Sequence, residues 1–210
     1  MSEIVRTTFS PQRSYTRAHQ ACLRKGQLAI VIISLISGIR TAHAQSAIER
    51  LQPLVEISAR RLAIAEQVAL AKWDSHAAVE DAPREAEVIM SAVNDGESKG
   101  LDRIFISNFF RDQIEANKVV QYSLLAAWHR AGRAPAHRPI DLATAIRPEL
   151  DKLQMQLIGE LADTADIRAR AGCLTNIAKA VGKYLAAPGH DSGPLEAVAL
   201  DRALARTCAF

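Results

Sequence analysis

The sequence predicts an all-α protein, a single helical bundle of about six helices that begins after a cleavable signal peptide. Three observations carry this. Beyond residue 45 the chain is rich in Ala, Leu, Arg, Glu and Gln, residues that favour helix. Its apolar residues recur at three-and-four spacing, the helical period, and no segment alternates as a strand would. Without a leader of 44 residues about 166 of the 210 remain, one domain with room for a proper core.

The leader is read first because it is an address and not part of the fold. Arg6, Arg13, Arg17, Arg24 and Lys25 supply positive charge, Leu28 to Ile36 is a run apolar but for Ser34, and Ala42-His43-Ala44 gives the small-x-small pattern of a cleavage site. The mature chain is therefore expected to begin at Gln45 and to be periplasmic or secreted. A membrane anchor is the competing reading, disfavoured because the run is about half the ~20 residues of a spanning helix. Residues 1–44 hold six of the 26 Lys and Arg and one of the 23 acids, so residues 45–210 carry 20 basic and 22 acidic side chains. A near-neutral domain without a basic stripe gives no footprint for nucleic acid.

From Ser46 to about Ala78, Ile48, Leu51, Leu54, Val55, Leu62, Ala65, Val68 and Ala69 form one long apolar stripe. Pro53 is tolerable there if the helix starts late. Asp81, followed by Pro83 and early acids, opens a second helix expected to end near Val93, ahead of the turn signals Asn94-Asp95-Gly96 and Lys99-Gly100. Asp102 caps a third helix running through Ile104, Phe109, Ile114, Tyr122 and Trp128, and residues 131–139 connect. Asp141 opens a fourth through Leu161, which Pro148 must either delay or kink. Asp166 to Leu185 is a fifth, and a last helix from about Leu195 carries Cys208 back towards Cys173. An even pair of cysteines in an oxidising compartment reads as a disulfide, against the alternative of two free thiols.

Several polar residues stand out against these stripes. Arg61 and Lys72, eleven apart, lie three turns along and only ~20° round a helix, so they share a face with Ile64, Ala65 and Val68. Cations on an apolar face are costly unless something anionic neutralises them; Arg60, one step round, is the solvated member of its pair. Asn117 and Gln121, at i and i+4, share a face of the third helix. Asp81, Arg84 and Glu85 lie between. His76, His129, His137 and His190 show no i, i+4 or acid-paired spacing that suggests zinc, and no metal site is expected. Trp73 and Trp128 read as core.

The joint spacing resembles the all-helical chorismate mutases. Their pattern is an Arg, a Lys eleven on, an Asp nine further, an Arg-Glu pair three further, a small polar residue 33 after that Arg, and Gln or Glu four later; Arg61, Lys72, Asp81, Arg84-Glu85, Asn117 and Gln121 follow it. Residues around Ala71-Lys72-Trp73, Val79-Glu80-Asp81 and Asp112-Gln113-Ile114 resemble the secreted subclass. That resemblance implies a C-terminal helical half with a disulfide, Cys173 to Cys208, and a further active-site Arg, matched by Arg147 with one inserted residue, Arg138 being the alternative. It divides the chain into residues 45–132, the active-site helices, and 140–210, the C-terminal half.

The implied activity is the cofactor-free rearrangement of chorismate to prephenate, a pericyclic step that needs no nucleophile, metal or base. By the resemblance, Arg61 and Arg147 hold carboxylates, Lys72 and Gln121 donate to the ether oxygen, Glu85 and the Asp81 region receive the ring hydroxyl, and Arg84 and Asn117 support the ring and its carboxylate. The expected partner is chorismate, with a homodimer open and no membrane in the mature form. Isochorismate pyruvate lyase, and a periplasmic helical binding protein without catalysis, are the competing functions.

Overall fold

The computed structural model describes residues 45–188 and 193–208. The signal-peptide segment and His190 lie outside the described residues. Seven α-helices and one π-helical turn follow among those described: α1 Ala47–Ser75, α2 Ala82–Ser98, α3 Arg103–Ala131, the turn Leu142–Ile146, α4 Arg147–Asp163, α5 Ala165–Arg168, α6 Cys173–Leu185 and α7 Pro194–Ala203.

Helix α1 starts early. Ser46 Oγ accepts from the Glu49 N–H at 3.3 Å while the Glu49 carboxylate accepts from the Ser46 N–H at 2.9 Å, a reciprocal cap that satisfies two otherwise orphaned donors. Pro53 therefore sits inside the helix and not in its first turn. It forfeits one backbone hydrogen bond, and burial of Leu51, Leu54 and Val55 holds the helix across it. The helix stops at Ser75, short of Ala78, because His76 turns left-handed with φ 55° and closes the last turn through its N–H.

Helix α2 is capped by Asp81, whose carboxylate accepts from the Arg84 N–H at 3.2 Å, with Pro83 in the first turn as expected. It runs past Val93 to Ser98, so Asn94-Asp95-Gly96 is helical. Gly96 serves packing and not a turn: a Cβ there would stand 2.8 Å from Ile106 Cγ1, so its absence lets α2 close on α3. The turn itself comes at Gly100, φ +76°.

Asp141 accepts from the Ala143 and Thr144 N–H groups but opens a π-helical turn and not an α-helix. Pro148 has no N–H and its ring excludes a continuous α-helix through residue 144; the chain widens through one turn and α4 restarts at Arg147 with Pro148 in its first turn. The expected fifth helix is also broken, into α5 and α6. Arg168, the last residue of α5, points inward, donating to the Leu161 and Thr207 carbonyls with its guanidinium 4.3 Å from the Phe105 ring centre.

Helix α1 is the axis of the bundle, packing on α3, α4, α6 and α7, while α2 lies on α3 and α4. Leu51, Leu54, Ile106, Phe109, Phe110, Leu153, Leu157 and Leu200 make the centre of the core. Trp73 and Trp128 pack edge to face, centroids 6.1 Å apart, in a second cluster with Leu70, the core role expected of them. Cys173 and Cys208 are bridged, Cα atoms 5.8 Å apart; helix α7 ends at Ala203, so the tail beyond it, and not the helix, delivers Cys208. Among the described residues no helix is long and apolar enough to cross a membrane.

Candidate active site

Three helices and the restart at α4 converge on one cavity. Helix α1 contributes Arg61 and Lys72, the first turn of α2 Asp81, Arg84 and Glu85, α3 Asn117 and Gln121, and α4 its first residue, Arg147; all eight line the cavity. Val68, Val88, Ile114 and Leu150 supply its apolar wall. The empty space, counted with its mouth and the open solvent there, is about 850 Å³. Arg138 is exposed on the connector and does not reach the wall. Arg60 is exposed beside Glu149, whereas Arg61, one 100° step round, is only 5 % exposed.

Burial pushes the Arg61 guanidinium down to about 10, with Asp151 raising it and Arg84 lowering it; it stays charged at neutral pH. One Nη donates to the Leu150 carbonyl at 3.4 Å, and Nε is buried without a hydrogen-bond partner among the described residues. The Lys72 ammonium donates to the Val79 carbonyl. Its pKa lies below the ordinary lysine value, lowered chiefly by burial and also by Lys118, against the raising effect of Asp81 and Glu85.

Arg84 reaches Glu87 at 3.1 Å and Asp151 at 3.8 Å. Glu85 Oε1 accepts from the Asp81 N–H at 3.4 Å and Oε2 from Lys118 at 3.3 Å. On α3, Gln121 Nε2 donates to Asn117 Oδ1 at 2.7 Å, and Asn117 Nδ2 donates to the Arg61 carbonyl at 3.2 Å. This relay locks the two amides to the arginine helix. Gln121 Oε1 is buried without a partner among the described residues, and Nε2 keeps a second hydrogen to donate.

Five cations of the wall, Arg61, Lys72, Arg84, Lys118 and Arg147, face three carboxylates, Asp81, Glu85 and Asp151. Arg84 is engaged by Glu87 and Lys118 by Glu85, Glu115 and Glu80, so the wall cations left without a carboxylate within ion-pair distance among the described residues are Arg61, Lys72 and Arg147. Such a site suits a small dianion, since guanidinium forks bind carboxylates bidentately.

Sequence reasoning missed Lys118, Asp151 and Gln154. Lys118 follows Asn117 directly and carries no local sign of burial. Gln154 donates to Ser91 and Asp95 at 3.1 Å each and so ties α4 to α2. Asp112-Gln113, noticed only as a resemblance, proves to be a brace: buried Asp112 pairs with Arg202 and Arg206, and Gln113 Nε2 donates to Ser58 and to the Ala203 carbonyl. His137 is acid-paired after all, Nε2 lying 2.9 Å from Asp74, a pair 63 residues apart that no local spacing reveals. Among the described residues no cluster of three or more His, Cys, Asp or Glu is placed to hold a metal ion.

The sequence pattern of the family described as chorismate mutase type II matches residues 52–122, a span that includes every candidate except Arg147. The secreted chorismate mutase of Mycolicibacterium smegmatis is 30% identical over 166 residues, 78% of this chain and 91% of that protein. The crystal structure of chorismate mutase from Burkholderia phymatum superposes with a TM-score of 0.75 at 43% identity, covering 79% of this chain and all of that one. That of Burkholderia thailandensis gives 0.71 at 34%, covering 76% and 99%.

Proposed function

The chain belongs to the type II chorismate mutases, and from that premise we propose how its cavity converts chorismate to prephenate. The protein is a chorismate mutase, an isomerase. The ether C–O bond of its substrate breaks as a C–C bond forms, in one concerted step that transfers no proton or electron. Catalysis then consists of holding the reactive chair and stabilising negative charge on the ether oxygen.

Arg61 and Arg147 hold the two carboxylates. Lys72 Nζ and Gln121 Nε2 donate to the ether oxygen. Glu85 and the start of α2 at Asp81 receive the ring hydroxyl, while Arg84 and Asn117 support the ring and its carboxylate. The observation that carries this is the buried Arg61, its Nε unpartnered among the described residues, on one wall with Lys72 and Arg147. A buried charge without a counter-charge is costly, and chorismate brings two carboxylates. The relatives reported above are named as mutases, so neither the lyase nor a non-catalytic binding role is favoured.

The protein is exported, as the name of its Mycolicibacterium relative indicates for that enzyme. Residues 1–44 form the leader in this reading and residues 45–210 the mature enzyme, in which 45–132 supply seven of the site residues and the C-terminal half adds Arg147 and the disulfide. All eight residues come from one chain, so turnover should not depend on whether two copies associate as a homodimer. Replacing Arg61 or Lys72 by Ala should cost about 10²–10³ in turnover with helicity by circular dichroism unchanged. Near-normal turnover in Lys72→Ala would sink the assignment.

A further inference from the structure

Lys118 takes no part in the chemistry above, yet its side chain lines the same cavity and is only 11% exposed. Three carboxylates face its ammonium: Glu115 at 2.8 Å on its own helix, Glu85 at 3.3 Å on α2, and Glu80 at 4.0 Å on the segment before α2. Of these only Glu85 lies on the cavity wall. Its other oxygen accepts from the Asp81 N–H at 3.4 Å. The Glu85 carboxylate is thus held at both ends, by the start of α2 and by Lys118, and its remaining lone pairs keep fixed directions.

We propose that Lys118 is a positioning residue: its ion pair with Glu85 fixes the carboxylate that receives the ring hydroxyl and keeps that carboxylate from closing on Lys72. The proposal rests on the roles given above to Glu85 and Lys72. Lys72 stands among Asp81 and Glu85 of the α2 turn, Lys118 of α3, Arg61 three turns back on α1 and Arg147 at the start of α4, all on one wall. Freed of Lys118, Glu85 could turn to the Lys72 ammonium on that wall, whose charge it already favours, and a lysine engaged by a carboxylate donates less well to an ether oxygen. Lys118 also repels the charge on Lys72 directly and lowers its pKa, in addition to the larger effect of burial. Removing Lys118 relieves that repulsion, so Lys72 stays protonated to higher pH.

The test is kcat/KM against pH for wild type, Lys118→Met, Lys118→Arg, Glu85→Gln and the double variant Lys118→Met/Glu85→Gln, with melting temperatures alongside. Lys118→Met should lose about 10- to 100-fold at neutral pH, the scale of a misplaced contact in a reacting site, and its alkaline limb should move to higher pH. Lys118→Arg should recover most of the loss, and in the Glu85→Gln background Lys118→Met should add little. A merely structural lysine would lower stability while leaving kcat/KM at neutral pH near the wild-type value. An unaffected Lys118→Met beside a crippled Glu85→Gln, or losses that multiply in full, would overturn the role of Lys118 alone. Glu85→Gln at wild-type activity would overturn the underlying assignment of Glu85 and the proposal with it. If Lys118→Met fails to fold, Lys118→Gln makes the same comparison.

Discussion

Exchanging Gln121 for Glu asks whether the ether oxygen is served by a donor that does not titrate. Gln121 is only 4 % exposed, its Nε2 donates to Asn117 at 2.7 Å, and an amide cannot ionise in the ordinary pH range. A carboxyl group in the same place can donate only while protonated. Burial raises its pKa above the ordinary value of about 4.3, although Lys72 across the cavity works against that rise. Below the shifted pKa the acid donates and the enzyme works. Above it the donor is lost and an anion faces the developing charge, a loss of about 10²–10³ in rate, or roughly 2.7–4 kcal/mol. Wild type should instead hold its kcat/KM from weakly acid to mildly alkaline pH. It should then fall as Lys72 deprotonates, earlier than an ordinary lysine because burial lowers its pKa. Chorismate consumption measured for both proteins across that range decides the matter. Superimposable profiles would remove Gln121 from the site.

Two further outcomes concern the frame that holds the site. Cys208→Ser opens a loop of 35 residues, worth roughly 3–4 kcal/mol, and should lower the melting temperature by roughly 6–16 °C; since neither cysteine lines the cavity, room-temperature activity should survive, and an unchanged melting temperature would contradict the brace. Asp112→Asn should cost about 2 kcal/mol, less than a fully buried pair because Arg202 and Arg206 are 37% and 44% exposed and can return to water. Burial raises the Asp112 pKa, but the hydrogen bonds from Arg206 and Arg202 outweigh it and hold it below the usual value. Its contribution is therefore complete above the unfolded value of about 3.9 and fades as pH falls through the lower folded one. The stability gap between wild type and Asp112→Asn should shrink in acid, and a gap that persisted there would refute the pairing.

What could be read from sequence alone was whatever a single helix fixes. The 3.6-residue period of α1 sets Arg61 and Lys72 on one face and Arg60 off it, and the same period sets Asn117 above Gln121. Asp81 was legible as a cap because a short acid before Pro83 has few other uses. The rest depends on what another segment brings close. Gly96 looked like a turn until Ile106 was seen against it. Lys118 carries no mark of its own in the sequence, and only the fold brings Glu85 and Glu115 to its ammonium. Asp151 and Gln154 reach the cavity because Pro148 forces a π-helical turn before α4, which sets the phase of everything after it. Arg147 was reachable only through resemblance, since an exposed Arg before Pro148 carries no local mark of a binding role.

Mutase activity at this cavity is tested most directly by the loss of chorismate absorbance with purified protein comprising residues 45–210, run beside isochorismate and beside Lys72→Ala. Chorismate should disappear with prephenate as the sole product, isochorismate should persist, and Lys72→Ala should be slower by about 10²–10³. Unchanged chorismate with folded wild-type protein, or equal rates for wild type and Lys72→Ala, would contradict it.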